Sequence, residues 1–464
     1  MDLFRKKDIA ESLDNETPLA KCLTVFDLTL LGVGAIIGAG IFILTGIVAA
    51  TQAGPAVILS YVVAGFACAF AALSYAELAA SIGGCGSAYG YAYAGFGELL
   101  AWIVGWDLLL EYSISVSAVS VGWSGYANDF LLALKLHVPN YLLHGPVDGG
   151  SFNILSFSII AALTCLLIIG VKSSTRFNNT MVLIKLSVIF IFIVIASTEV
   201  RAENWSSFMP FGWAGVMKGA SLIFFAYVGF DAVSTAAEEA INPQRDLPKG
   251  IIGSLLICTV LYIIVSGLLT AIAHYTTLNV SSPISHSLLV LGHKTAAGLI
   301  GVGAIAGLTT VMLVLFYGLT RVFLAMSRDG LLPRMFSKTH PKTKTPIRII
   351  LLCGTLMALF AAVTPITTLA ELVNIGTLFA FIIVCGGVLY LRKIQPDMHR
   401  PYKTPGMPYV PILGIVSCLY LIINLPLVTL IRFAVWMVVG LVVYFAFSRK
   451  NSSLQIKGSC STES

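Results

Sequence analysis

The sequence predicts an all-α membrane protein of twelve transmembrane helices, the first and the sixth broken near their middles. Three observations carry that expectation. Of the 464 residues, 57% are hydrophobic and only 11% charged, where an ordinary soluble domain has about 25% charged. Apolar runs of roughly 20 residues, enough to cross a bilayer, recur twelve times along the chain. Two of these runs, five spans apart, are interrupted by glycine.

Composition also excludes other classes. The net charge of +6 comes from positives scattered over many short loops, so no nucleic-acid partner is expected. The first 26 residues are polar and mixed in charge, without the apolar core and small-residue site of a cleavable signal. Six of the nine cysteines lie in apolar runs and the seven histidines form no His-x-x-x-His pair. Neither a disulfide framework nor a metal site is expected, and no cofactor. With no His-Glu-x-x-His, Gly-x-Ser-x-Gly or Walker loop, the chain reads as neither an enzyme nor an ATP-driven pump.

The runs cover residues 27–50, 54–81, 97–128, 153–171, 177–198, 213–239, 247–274, 296–325, 346–364, 368–391, 409–426 and 428–448. They divide the chain into a cytoplasmic N-terminal segment (1–26), a first five-helix unit (27–198), a second (213–391), two further helices (409–448) and a cytoplasmic tail (449–464). The uncharged, glycine-rich linker Gly83–Gly90 has room for an interfacial helix. Two prolines, Pro243 and Pro248, turn the chain between runs six and seven. Trp205, Trp213 and Tyr275 stand near outer ends as interfacial anchors. Of the 28 Lys and Arg residues, 22 fall on the side of the termini, five on the other and Lys185 within run five. Both termini are therefore expected in the cytoplasm, with the chain in the cell membrane. Because five is odd, the two five-helix units must be inverted relative to each other. Paired interrupted segments in inverted halves point to the binding site of a secondary transporter.

The first interruption is Gly32-Val33-Gly34-Ala35-Ile36-Ile37-Gly38-Ala39-Gly40-Ile41-Phe42. Each glycine weakens a helix by about 1 kcal/mol relative to alanine, and an opened helix survives in a membrane only where protein or a cavity covers it. The second is Phe224-Phe225-Ala226-Tyr227-Val228-Gly229-Phe230-Asp231. A broken helix offers free N–H groups and a partial positive charge at one end, suited to a carboxylate, and free carbonyls at the other, suited to an ammonium. An α-amino acid carries both groups. Gly38, Ala39 and Gly40 are expected to hold the carboxylate through backbone N–H groups; the carbonyls of Ile36, Ile37, Phe225 and Ala226 would take the ammonium, with Val228 at the second break. The bland alternative is that the glycines only allow close helix packing.

These motifs resemble the amino acid–polyamine–organocation superfamily. They are Gly-Ala-Ile-Ile-Gly-Ala-Gly-Ile-Phe followed by Ala53-Gly54-Pro55-Ala56, the Phe-Phe-Ala-Tyr-Val-Gly-Phe-Asp run, Glu238-Glu239, Asn242-Pro243 and Pro248. Within it, the chain looks most like bacterial permeases of the cationic-amino-acid-transporter type. The resemblance implies a LeuT-type inverted repeat, alternating access and an L-amino acid substrate, and leaves open a small single-span membrane subunit as partner. Many members carry Ser or Thr where Ala39 stands, so backbone would bear more of the carboxylate contact here.

Lys185 is the ninth residue of run five, about 13 Å deep at 1.5 Å per residue, and a charge there carries a cost usually tied to function. In proton-coupled relatives a lysine takes the place that sodium holds in others. The resemblance thus implies that Lys185 couples transport to protons rather than Na⁺; the alternative is a permanently charged structural lysine. Glu111 and Asp107 share a face of run three. By resemblance Glu111 falls near the substrate pocket, where it would attract a cationic side chain, unless it serves an internal hydrogen bond. Leu315, also a pocket position by resemblance, favours small or apolar side chains. Asp231 reads as a cap on the second half-helix, and Glu77 as interfacial. The leading expectation is uptake of small neutral or cationic L-amino acids by proton symport, with exchange as the alternative; an ion channel lacks any filter sequence.

Overall fold

A computed structural model describes residues 23–82, 88–169, 175–340 and 345–454. Most of the N-terminal segment, the linker at 83–87 and the end of the tail lie outside the described residues, as do the side chains of Glu238 and Glu239. The described residues form helices and no strand, apart from one isolated bridge between Leu23 and Ala240.

Helix α1 (Val25–Ile36) starts on a capping box. Thr24 Oγ1 accepts from the Asp27 N–H at 3.3 Å, and the Asp27 carboxylate accepts from the Thr24 N–H at 3.0 Å. The pairing satisfies N–H groups that a helix start leaves orphaned. The helix stops at Ile37, whose backbone is extended. It resumes as a π-helical turn (Gly40–Leu44), one α-turn (Thr45–Val48) and a second π-turn (Ala49–Ala53). Gly54, at φ +65°, turns the chain into Pro55 and helix α2 (Val57–Ile82). Helix α3 (Ala88–Gly95) begins at the end of the glycine-rich linker, whose residues 83–87, with most of the interfacial helix anticipated there, lie outside the described residues. There follow α4 (Glu98–Ala133), α5 (Ile154–Ile169), α6 (Thr175–Thr198) and α7 (Gly212–Ile223).

The second break comes next. A 3₁₀ turn (Phe224–Tyr227) ends at Val228, Gly229 sits at φ +118°, and a ten-residue 3₁₀ segment (Phe230–Glu239) continues the chain. Such runs seldom exceed three or four residues and often mark hinges. The remaining helices are α8 (Pro243–Ile272), α9 (Pro283–Val290), α10 (Lys294–Arg328), α11 (Ile347–Val363), α12 (Ile366–Ile394), α13 (Tyr409–Ile423) and α14 (Leu427–Val443).

Each of the twelve apolar runs carries helix among its described residues. Among the described residues, eight helical stretches are long and apolar enough to cross a membrane, and four shorter apolar helices accompany them. Three of the short ones, α5, α11 and α13, have 16, 17 and 15 residues, about 22–26 Å at 1.5 Å per residue. The fourth is α1, cut short by the first break. In the interior, α10 and α12 pack on α4, while α8 packs on α1 and α2. Lys185 is among the fully buried large side chains, with a set of tyrosines that includes Tyr61, Tyr126, Tyr227 and Tyr262.

Candidate functional site at the crossing of two broken helices

The two breaks touch. A Cβ built on Gly40 would lie 2.3 Å from both Cα and Cβ of Ala226, and one on Gly229 would lie 3.0 Å from the Ala35 carbonyl. Contacts this close exist only because neither glycine has a side chain. Gly229 is needed twice over, since its positive φ also disfavours any L side chain. Gly38 is less confined: a Cβ there would meet Val311 at an ordinary 3.6 Å. Leu315 lies one turn further along α10 on the same face as Val311. Ala39 turns toward helix α4, its Cβ 3.4 Å from where a Cβ on Gly122 would stand. Ile36, Ile37, Phe225, Ala226, Val228 and Leu315 are all buried.

The opened backbone of the first break is satisfied from neighbouring helices. Lys185 on α6 donates to the carbonyls of Gly34 at 2.9 Å and Ile37 at 2.8 Å. Tyr262 on α8 reaches the Ile36 carbonyl at 2.9 Å and the Ala226 carbonyl of the second break at 2.8 Å. Further out, the Gly40 carbonyl accepts from Thr45 Oγ1 and from the Tyr61 hydroxyl, and the Phe42 carbonyl accepts from Tyr126 on α4. Buried carbonyls without donors cost about 1–3 kcal/mol each, so these side chains are what make the interruption tolerable. All four carbonyls expected to take an ammonium already accept a hydrogen bond: Ile36, Ile37 and Ala226 from a side chain, and Phe225 from the Val228 N–H. Each carbonyl keeps a second lone pair for a ligand.

Glu111 lies on α4 near Asp231, two residues past Gly229 of the second break. Eleven residues of α4, about 16 Å of helix, separate it from Gly122 beside Ala39. It shares its surroundings with Asp107 and Asp231, and Asp231 accepts the Tyr112 hydroxyl at 3.0 Å. Both Asp107 oxygens, one of Glu111 and one of Asp231 have no hydrogen-bond partner. Glu77 lies near the C-terminal end of α2. It is 2% exposed and accepts Arg392 bidentately at 2.9 and 2.7 Å, with Arg400 at 3.4 Å and the Thr404 N–H at 2.7 Å. Sequence reasoning missed this cluster, and it missed the tyrosines, because aromatic residues in apolar helices ordinarily signal packing alone.

Two interrupted helices that cross at a buried point within a bundle of long apolar helices set the chain among multi-pass membrane proteins. The chain belongs to the amino acid permease family, whose family model matches residues 23–447. It is 52% identical over 460 residues to the branched-chain amino acid permease BcaP of Bacillus subtilis, covering 97% of this chain and 99% of that one. To the methylthioribose transporter of the same organism it is 50% identical over 457 residues, with 97% and 99% coverage. To the vacuolar cationic amino acid transporter 4 of Arabidopsis thaliana it is 38% identical over 407 residues, covering 85% of this chain and 68% of that one. The family and these relatives are transporters, not enzymes, and the chain is a multi-pass membrane protein.

Proposed function

We propose that this protein imports L-amino acids across the cell membrane by proton symport, on a twelve-helix, LeuT-type inverted repeat with both termini in the cytoplasm. One observation supports the reading: the breaks cross at Gly40 and Ala226, and on this reading the N–H groups opening one half-helix and the carbonyls closing the other face one ligand. That pairing matches an α-carboxylate and an α-ammonium without any charged side chain. The apolar Val311 beside Gly38, with Leu315 one turn further along α10, favours small or branched apolar side chains, in keeping with the substrate named for the Bacillus subtilis permease. Lys185 supports proton rather than sodium coupling, because its ammonium already occupies the carbonyls of Gly34 and Ile37.

The test is uptake by purified protein in liposomes against a panel of twenty labelled amino acids, with and without an inward proton gradient and with sodium present or absent. Gradient-driven, sodium-independent accumulation is expected. Counterflow that ignores the pH gradient would replace symport with exchange. A second reading follows from the relative at 50% identity that carries methylthioribose. That ligand has neither carboxylate nor ammonium, so uptake of methylthioribose without uptake of any amino acid would overturn the main reading.

A further inference from the structure

The Tyr262 hydroxyl lies within hydrogen-bond distance of two carbonyl oxygens that belong to different breaks, Ile36 at 2.9 Å and Ala226 at 2.8 Å. A hydroxyl carries one proton, so it holds both oxygens only by sharing or alternating between them. Two carbonyl oxygens facing one another repel unless a donor stands between them. That one atom reaches both shows their spacing suits a single donor. Next to this pair, Lys185 fixes the carbonyls on either side of Ile36, those of Gly34 and Ile37. The Gly34, Ile36 and Ile37 carbonyls are thus set by two donors from two helices, and Tyr262 alone of these two also reaches the second break.

The ring is held independently of its hydroxyl. Tyr262 is fully buried, with the Tyr61 ring at 5.2 Å and the Tyr227 ring at 5.4 Å between centroids. Removing the oxygen therefore leaves the packing in place and takes away only the tie between the two carbonyls.

We propose that Tyr262 is a positioning residue for ammonium recognition: its hydroxyl sets the Ile36 and Ala226 carbonyls at the spacing at which their remaining lone pairs accept one ammonium. The proposal rests on the amino acid reading above. It assigns discrimination between an amine and other α-substituents to α8, a helix that neither break belongs to. Without the hydroxyl, the two oxygens spread apart or rotate, and a ligand nitrogen meets one of them instead of both. The carboxylate end, built on N–H groups at 38–41, keeps its geometry.

The experiment compares wild type with Tyr262→Phe and Tyr444→Phe in detergent or liposomes. Tyr444 is a buried tyrosine packed on Trp102, and its hydroxyl donates to Glu98 at 3.1 Å, on segments outside both breaks, which makes it the packing control. Three probes compete against the labelled amino acid bound best in the panel, L-leucine on the reading above. They are L-leucine, L-leucinol (ammonium, no carboxylate) and the 2-hydroxy acid of leucine (carboxylate, no ammonium). In Tyr262→Phe, L-leucine and L-leucinol are expected to bind at least tenfold more weakly, while the hydroxy acid changes less than threefold. Tyr444→Phe is expected to leave all three within threefold. A parallel loss of all three probes in Tyr262→Phe, or no loss of any, overturns the proposal. Failure of wild type to bind any amino acid overturns the functional reading itself, and this inference with it.

Discussion

Replacing Gly40 by alanine separates a packing glycine from a recognition glycine, and the structure supplies the magnitude. The new Cβ would stand 2.3 Å from Cα and Cβ of Ala226, where tolerated contacts begin near 3.4 Å. The atoms in the way are backbone and the first side-chain carbon, so no rotamer change relieves the clash. One break must move by about 1 Å relative to the other. Overpacking of this kind costs about 1–3 kcal/mol, and if the cost falls on the binding-competent geometry it weakens affinity about 5- to 150-fold. Gly38→Ala is the internal control, since its Cβ meets only Val311 at 3.6 Å. Its affinity is expected to stay within a few-fold of wild type. Binding and initial uptake rates in liposomes measure the effect, and fluorescence-detected size exclusion confirms that both variants insert and fold. Wild-type affinity in Gly40→Ala, or a larger loss in Gly38→Ala than in Gly40→Ala, would refute the argument that the breaks meet at Gly40.

Other perturbations have equally definite outcomes. Lys185→Ala removes the donor to Gly34 and Ile37 and is expected to abolish uptake driven by a pH gradient; pH-driven accumulation that persists in the variant would sink the coupling role. Glu77→Ala leaves the Arg392 and Arg400 guanidiniums without their shared carboxylate. Stranding a partner of a buried pair costs about 3–5 kcal/mol, so a clear drop in melting temperature in detergent is expected, and an unchanged one would show the cluster to be dispensable. Gly229→Ala forces a side chain onto φ +118° and against the Ala35 carbonyl. Strain of about 1–3 kcal/mol is expected, read as thermal destabilisation together with loss of transport.

What the sequence disclosed follows from the range of the interactions that build this fold. Apolar runs and charge sidedness are local or statistical, and they anticipated a helix at every one of the twelve runs. The breaks were legible for the same reason: glycine density at 32–40 and the Val228-Gly229 step are local weaknesses in otherwise continuous apolar segments. The placement of Lys185 against the first break came from resemblance combined with depth, and the two hydrogen bonds of its ammonium agree with it. The tyrosines were not legible. Tyr61, Tyr126 and Tyr262 lie on α2, α4 and α8, and in each the ring satisfies the apolar pattern while only the hydroxyl does other work. A pattern of hydrophobicity registers the ring and is blind to the oxygen. The partners of Glu77 were not legible for a related reason: Arg392 and Arg400 are more than 300 residues away in sequence, so nothing near it announced an ion pair. The same logic explains why a broken helix is stable here. Glycine opens the helix at a point the sequence shows, but the donors that make the opening tolerable come from helices on which they are camouflaged as packing.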